Sequence, residues 1–132
     1  MTVLLNDNAS DTELLQVVAD WLNLISQGKY QEAFALTLHD PYYSWSPDLI
    51  EKTVKGYRLP EPHPSGKVFL PTPPSSATGN PPDRSVERYV ESTPAKFTEG
   101  EIIGELMHTV PLDGEWSDLT VTFALVRVSG RI

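Results

Sequence analysis

The chain has 132 residues, a formal net charge of −8 and no cysteine. That length suits one domain with one core, and the missing thiols exclude disulfides, thiolate catalysis and Cys-zinc sites. The negative charge repels phosphate, which excludes nucleic acid and anionic membrane surfaces as partners.

In chain order, the N-terminus carries only a short apolar run, Val3 to Leu5, with no basic residue before it. It does not read as a secretion signal, and no stretch reaches the ~18 apolar residues of a membrane span. The expectation is a cytoplasmic protein. Ser10-Asp11-Thr12-Glu13 reads as a capping box, with Ser10 at the N-cap and Glu13 at the third helical position. Leu14, Val17, Val18, Trp21, Leu22 and Ile25 then draw one apolar stripe. This spacing predicts a helix over 11–27, closed by Gly28. A second helix is expected at about 30–38, with Tyr30, Ala33, Phe34 and Leu38 on one side and His39-Asp40-Pro41 as its stop. Ser46-Pro47-Asp48 starts a third helix that should run to Lys55 and end at Gly56.

Residues 59–82 differ in kind. Eight prolines fall in that stretch, with Gly66, Gly79 and the Ser75-Ser76 pair. The composition predicts a stiff surface excursion, with a short strand at 67–70 and a weaker reading as a ligand for SH3-like grooves. The last third is strand territory. Val86 to Glu91 is a short candidate, and Glu101 to Val110 is longer, with Ile102, Gly104, Leu106, His108 and Val110 on one face. Asp118 to Val128 is the clearest, with Leu119, Val121, Phe123 and Leu125 inward and Thr120 and Thr122 outward. Pro111 to Ser117, containing Asp113-Gly114, should join the last two as an antiparallel hairpin.

Two motifs carry a family resemblance. The first is Val17-Val18-Ala19-Asp20-Trp21-Leu22 followed by Gly28-Lys29-Tyr30-Gln31-Glu32-Ala33-Phe34. The second is the tail Pro111-Leu112-Asp113-Gly114-Glu115-Trp116-Ser117-Asp118-Leu119-Thr120 leading into a long strand. The chain resembles an NTF2-like (cystatin-like) domain, and its tail resembles an uncharacterised bacterial subgroup of NTF2-fold, immunity-like proteins. The resemblance implies an α+β fold over residues 1–132 as a single domain, with N-terminal helices packed on a curved antiparallel sheet that forms a cone. It also implies a homodimer paired through the sheet. The proline-rich 59–82 segment departs from the family, because a hairpin and helix often stand there.

Enzymes of this superfamily use an Asp, His or Tyr pointing into the cone. His39-Asp40 with Tyr42 and Tyr43 is the densest such group, although a helix-stop loop explains it equally well. His108 lies on the apolar face of its strand by parity, where a lone His is more often a hydrogen-bonded core residue. Tyr42, Tyr43, Trp45 and Trp116 are aromatics in expected loops, candidates to rim a pocket, anchor a partner or simply cap the core. No metal-ligand spacing, phosphate-binding loop or nucleophile motif occurs, so no metal, cofactor or confident catalytic residue is expected.

The charge is uneven as well. No Lys or Arg precedes Lys29 and none lies between Lys96 and Arg127, whereas that second gap holds Glu99, Glu101, Glu105, Asp113, Glu115 and Asp118. This is either a solvated acidic face or a docking surface for a basic protein, with Glu105 and Glu115 as candidate contacts. The leading expectation is therefore a non-enzymatic binding protein, immunity-like in character. The alternative is a binder of a small apolar ligand, or a lyase or isomerase, with a cone-lining His or Asp.

Overall fold

In a computed structural model, residues 5–6, 8–37, 45–57, 61, 63–79, 82–88, 96–97, 100–127 and 132 are described. The order of elements is α1 (Asp11–Ser26), α2 (Tyr30–Ala35), α3 (Pro47–Lys55), a 3-10 turn (Pro74–Ser76), β1 (Arg84–Arg88), β2 (Lys96–Phe97), β3 (Gly100–Leu112) and β4 (Glu115–Arg127). This is the α+β class, with helices first and an antiparallel sheet after them.

The caps follow from their residues. Ser10 Oγ accepts the Glu13 N–H at 3.2 Å while the Glu13 carboxylate accepts the Ser10 N–H at 3.3 Å, closing the capping box. At the other end of α1, Lys29 N–H donates to the Leu24 carbonyl and Gly28 N–H to Ile25, the paired bonds of a Schellman stop. Ser46 Oγ likewise accepts the Leu49 N–H at 3.1 Å, with Pro47 at the first helical position. α2 stops at Ala35, shorter than expected, and the Leu36 and Thr37 N–H groups close its end with single-turn bonds to Ala33 and Phe34.

β3 is the hub of the sheet. β4 pairs along one edge, from Glu101↔Arg127 to Leu112↔Glu115. β1 and β2 share the other edge, at 104–108 and 100–101. The hairpin turn is only Asp113-Gly114, tighter than the connection expected from 111 to 117. Both turn residues have positive φ, 51° and 86°, as a type I′ turn requires, and Gly at the second position meets that demand without a Cβ penalty. Register breaks near Ile102/Gly104 and Thr109/Pro111 add local bends. At Gly104 the backbone of β1 comes so close that a Cβ would collide with the Glu87 carbonyl oxygen.

From Gly104 onward the inward faces match the parity expected from the sequence, but the bulge at 102–104 turns Ile103 rather than the expected Ile102 against the core. Gly104, Leu106, His108 and Val110 of β3 and Leu119 and Leu125 of β4 are buried, while Thr120, Thr122 and Ala124 are exposed. The inward side chains share one core with Leu14, Val18, Trp21, Leu22 and Ile25 of α1. Trp21 meets Phe123 edge-on at 5.2 Å between ring centroids, which places α1 across the sheet. Arg88 then ties β1 to the start of α1, donating to the Ala9 carbonyl at 2.7 Å and pairing with Asp11 at 3.2 Å.

The proline-rich segment is a strap rather than a strand. Residues 67–70 form no ladder, and only an isolated bridge at Pro71↔Leu112 marks their course. The strap runs along the outer edge of β3, turns through Pro74–Ser76 and reaches the outer edge of β4 at Thr78. Thr72 N–H donates to the Pro111 carbonyl and Asp113 N–H to Leu70, both bonds straddling Pro71. The nitrogen of Pro71 faces away from β3, so its missing N–H costs no bond there. On the other side Thr78 N–H donates to Gly114 and Trp116 N–H donates to Thr78. The backbone at Leu70, Thr72 and Thr78 is thus committed within the chain, which argues against Pro71 to Pro74 as a groove ligand, while Pro60 and Pro62 lie outside the described residues.

Candidate functional site

The sheet offers two places for function: the inward cluster around His108 and the outward face of β1, β3 and β4. His108 sits mid-strand on the inward face and is only 4% exposed. Its Nδ1 lies 2.7 Å from the Thr109 carbonyl oxygen. A carbonyl only accepts, so Nδ1 carries the proton and Nε2 is left as the acceptor of the neutral ring. Trp116 stacks beside it, with centroids 5.6 Å apart and planes tilted by 37°. Burial pushes the His108 pKa below its usual value. The Thr109 bond opposes that shift, and the charge of Arg84, its register partner on β1, adds to it. The result is a neutral imidazole in the core. Thr109 itself buries an Oγ1 with no hydrogen-bond partner.

The outward face is assembled by register. Glu87 on β1 stands directly opposite Glu105 on β3, which stands opposite Ala124 on β4. One rank along, Ser85, Met107 and Thr122 form the next row. Met107 is 39% exposed, a large apolar side chain left in solvent. Asp118 and Thr120 are also exposed on β4. Like charges directly opposite on neighbouring strands repel, and neither Glu87 nor Glu105 joins an ion pair among the described residues. Ala124, the β4 partner of Glu105, is small and exposed.

The remaining candidates separate. Glu115 is exposed beside the hairpin turn, opposite Leu112. It lies seven β3 positions from Glu105, roughly 23 Å at ~3.3 Å per residue, so the two do not form one site. Trp45 is 44% exposed just before the N-cap of α3. His39, Asp40, Tyr42 and Tyr43 lie outside the described residues. The charge pattern along the sequence singles out Glu105 but not Glu87. Val86 to Glu91 reads as a strand and β1 is found at Arg84–Arg88, yet which strand it pairs with, and in what register, is not written in its own residues.

No group of His, Asp and Glu suited to hold a metal ion occurs among the described residues. Among them no helix is long and apolar enough to cross a membrane. Comparison with known protein families, with curated proteins and with solved structures gave no match to this chain.

Proposed function

We infer that the chain is a non-enzymatic binding protein on an NTF2-like scaffold, whose outward sheet face docks a partner with a basic surface. The observation that carries this reading is the Glu87–Glu105 opposition beside exposed Met107. Two carboxylates held opposite each other cost stability in the free protein. A partner's Lys or Arg between them relieves that cost on binding, while Met107 supplies apolar contact area. No Lys or Arg lies in β3 or in β4 before Arg127, so these two strands bring no competing cation to the Glu105 row. An immunity-like role, in which such a surface neutralises a basic protein, follows the same logic. Homodimer pairing through this face, which the family resemblance implies, would bring the same carboxylates of two copies together.

A second reading keeps one specific observation in its favour. A neutral His108 beside Trp116 on the inward face is the arrangement a small apolar ligand, or a lyase or isomerase site, would use. One experiment separates the two. Affinity capture on the immobilised protein from native cytosol should enrich a defined basic protein on the wild type and lose it on a Glu87→Lys/Glu105→Lys variant. Equal capture by both, together with a small-molecule thermal shift that depends on His108, would overturn the binding-face reading in favour of the second.

A further inference from the structure

The two long edges of the hairpin are treated differently. The outer edge of β3 is covered along its length: by β2 at 100–101, by β1 at 104–108, by the Asp83 carbonyl at Thr109, and by the strap at 111–113. Among the described residues, the outer edge of β4 is covered at its start, where Thr78 bridges Gly114 and Trp116. From Asp118 to Val126 no strand pairs with it among the described residues.

The direction of its backbone groups follows from the register. Thr109 donates its N–H to Asp83, away from β4, so Thr109 and its partner Thr120 both turn their backbone groups outward. The register then runs unbroken to Gly104↔Leu125, so Thr122 and Ala124 also present N–H and C=O to the open edge. Natural edges are usually blunted by Lys, Pro, a bulge or an inward charge. Residues 119–126, Leu-Thr-Val-Thr-Phe-Ala-Leu-Val, contain no charge, proline or glycine. The two faces of this edge also differ. Inward, Val121 and Phe123 are only half-buried, and outward the row leads across Ala124 to Glu105 and past Asp118.

We propose that the edge of β4 from Asp118 to Val126 is a strand-addition site for an extended partner segment that alternates apolar residues with Lys or Arg. This rests on the basic-partner reading and specifies its geometry. The partner's backbone takes the open N–H and C=O groups of Thr120, Thr122 and Ala124. Its apolar side chains cover Val121 and Phe123, and its cations reach Glu105 across Ala124 or meet Asp118. A second copy of the chain fits less well, because antiparallel pairing of two β4 strands places two −8 chains edge to edge and offers no cation in 119–126 to either.

The test is fluorescence anisotropy of a labelled nine-residue peptide of alternating Val and Lys titrated with the full chain. The wild type should bind it, and should not bind the matched Val–Glu peptide. Thr122→Pro removes an outward donor without touching the β3 ladder and should weaken binding at least tenfold. The same peptide N-methylated at alternate residues should bind the unaltered protein at least tenfold more weakly, a readout independent of how the proline variant folds. If the N-methylated peptide binds as well as the parent while Glu87→Gln/Glu105→Gln weakens both, strand addition is wrong and the acidic face alone is the site. If the Val–Lys peptide does not bind, or the Val–Glu peptide binds equally, the charge reading falls and this inference with it. A wild-type dimer by sedimentation that Thr122→Pro converts to monomer would give the edge to a second copy and contradict the proposal.

Discussion

His108 shows how one side chain can be chemically suggestive and structurally committed. Its parity was legible from Leu106 and Val110, two residues to either side on the same strand. Its neutrality was not, because that depends on the Thr109 carbonyl, on Trp116 across the hairpin and on Arg84 from another strand. The linkage has a definite sign. Burial lowers the folded-state pKa below the unfolded value near 6.5. Above that value both states hold a neutral ring and His108 adds no pH dependence. Below it the unfolded chain binds a proton that the folded chain refuses, so stability falls as pH drops towards the folded pKa. His108→Gln keeps a hydrogen-bonding side chain and removes this titration. Thermal unfolding measured from about pH 7.5 down to about pH 5 should therefore show a shallower loss in the variant than in the wild type. Parallel slopes would mean the imidazole is free to ionise in place.

At the scale of elements, the helices were the most legible part. Ser10, Glu13, Gly28, Ser46 and Pro47 are local signals, and each acts within a turn of its own position. The strap was legible as proline-rich but not as a clasp, because its partners lie about forty residues away at the hairpin tip. Asp113 joins the two. Its carboxylate accepts the Leu70 N–H at 3.2 Å and pairs with Lys67 at 3.3 Å, while its backbone starts the turn. Asp113→Ala should cost about 1–2 kcal/mol, the sum of one charge-assisted bond, a small exposed ion pair and lost preference for positive φ. The loss should be local. Amide hydrogen exchange should accelerate at Leu70, Thr72, Thr78 and Trp116 while Gly104 to His108 keep their protection. Uniform acceleration would show that the strap holds the whole fold rather than the tip alone.

Across the whole molecule, the α+β class and the inward and outward faces of the long hairpin could be read from periodicity. The pairing of β1 against β3 could not, and it is this pairing that brings Glu87 to Glu105. Uneven charge along the sequence indicated an acidic region, but only the register turns it into opposed carboxylates on one surface. Tyr30 illustrates the same limit in the helical layer. Burial pushes its phenol to about 12, and the nearby charge of Glu51 adds to that shift, a pairing that no local spacing encodes. On the proposed function, the outward sheet face receives a basic partner. The most direct test is amide chemical-shift mapping of the isotope-labelled chain during titration with the Val–Lys peptide. Saturable shifts are expected, confined to Ser85–Glu87, Glu105–Met107 and Thr120–Ala124 and abolished by Glu87→Gln/Glu105→Gln. Shifts centred instead on His108 and Trp116, or spread evenly over the acidic surface, would contradict it.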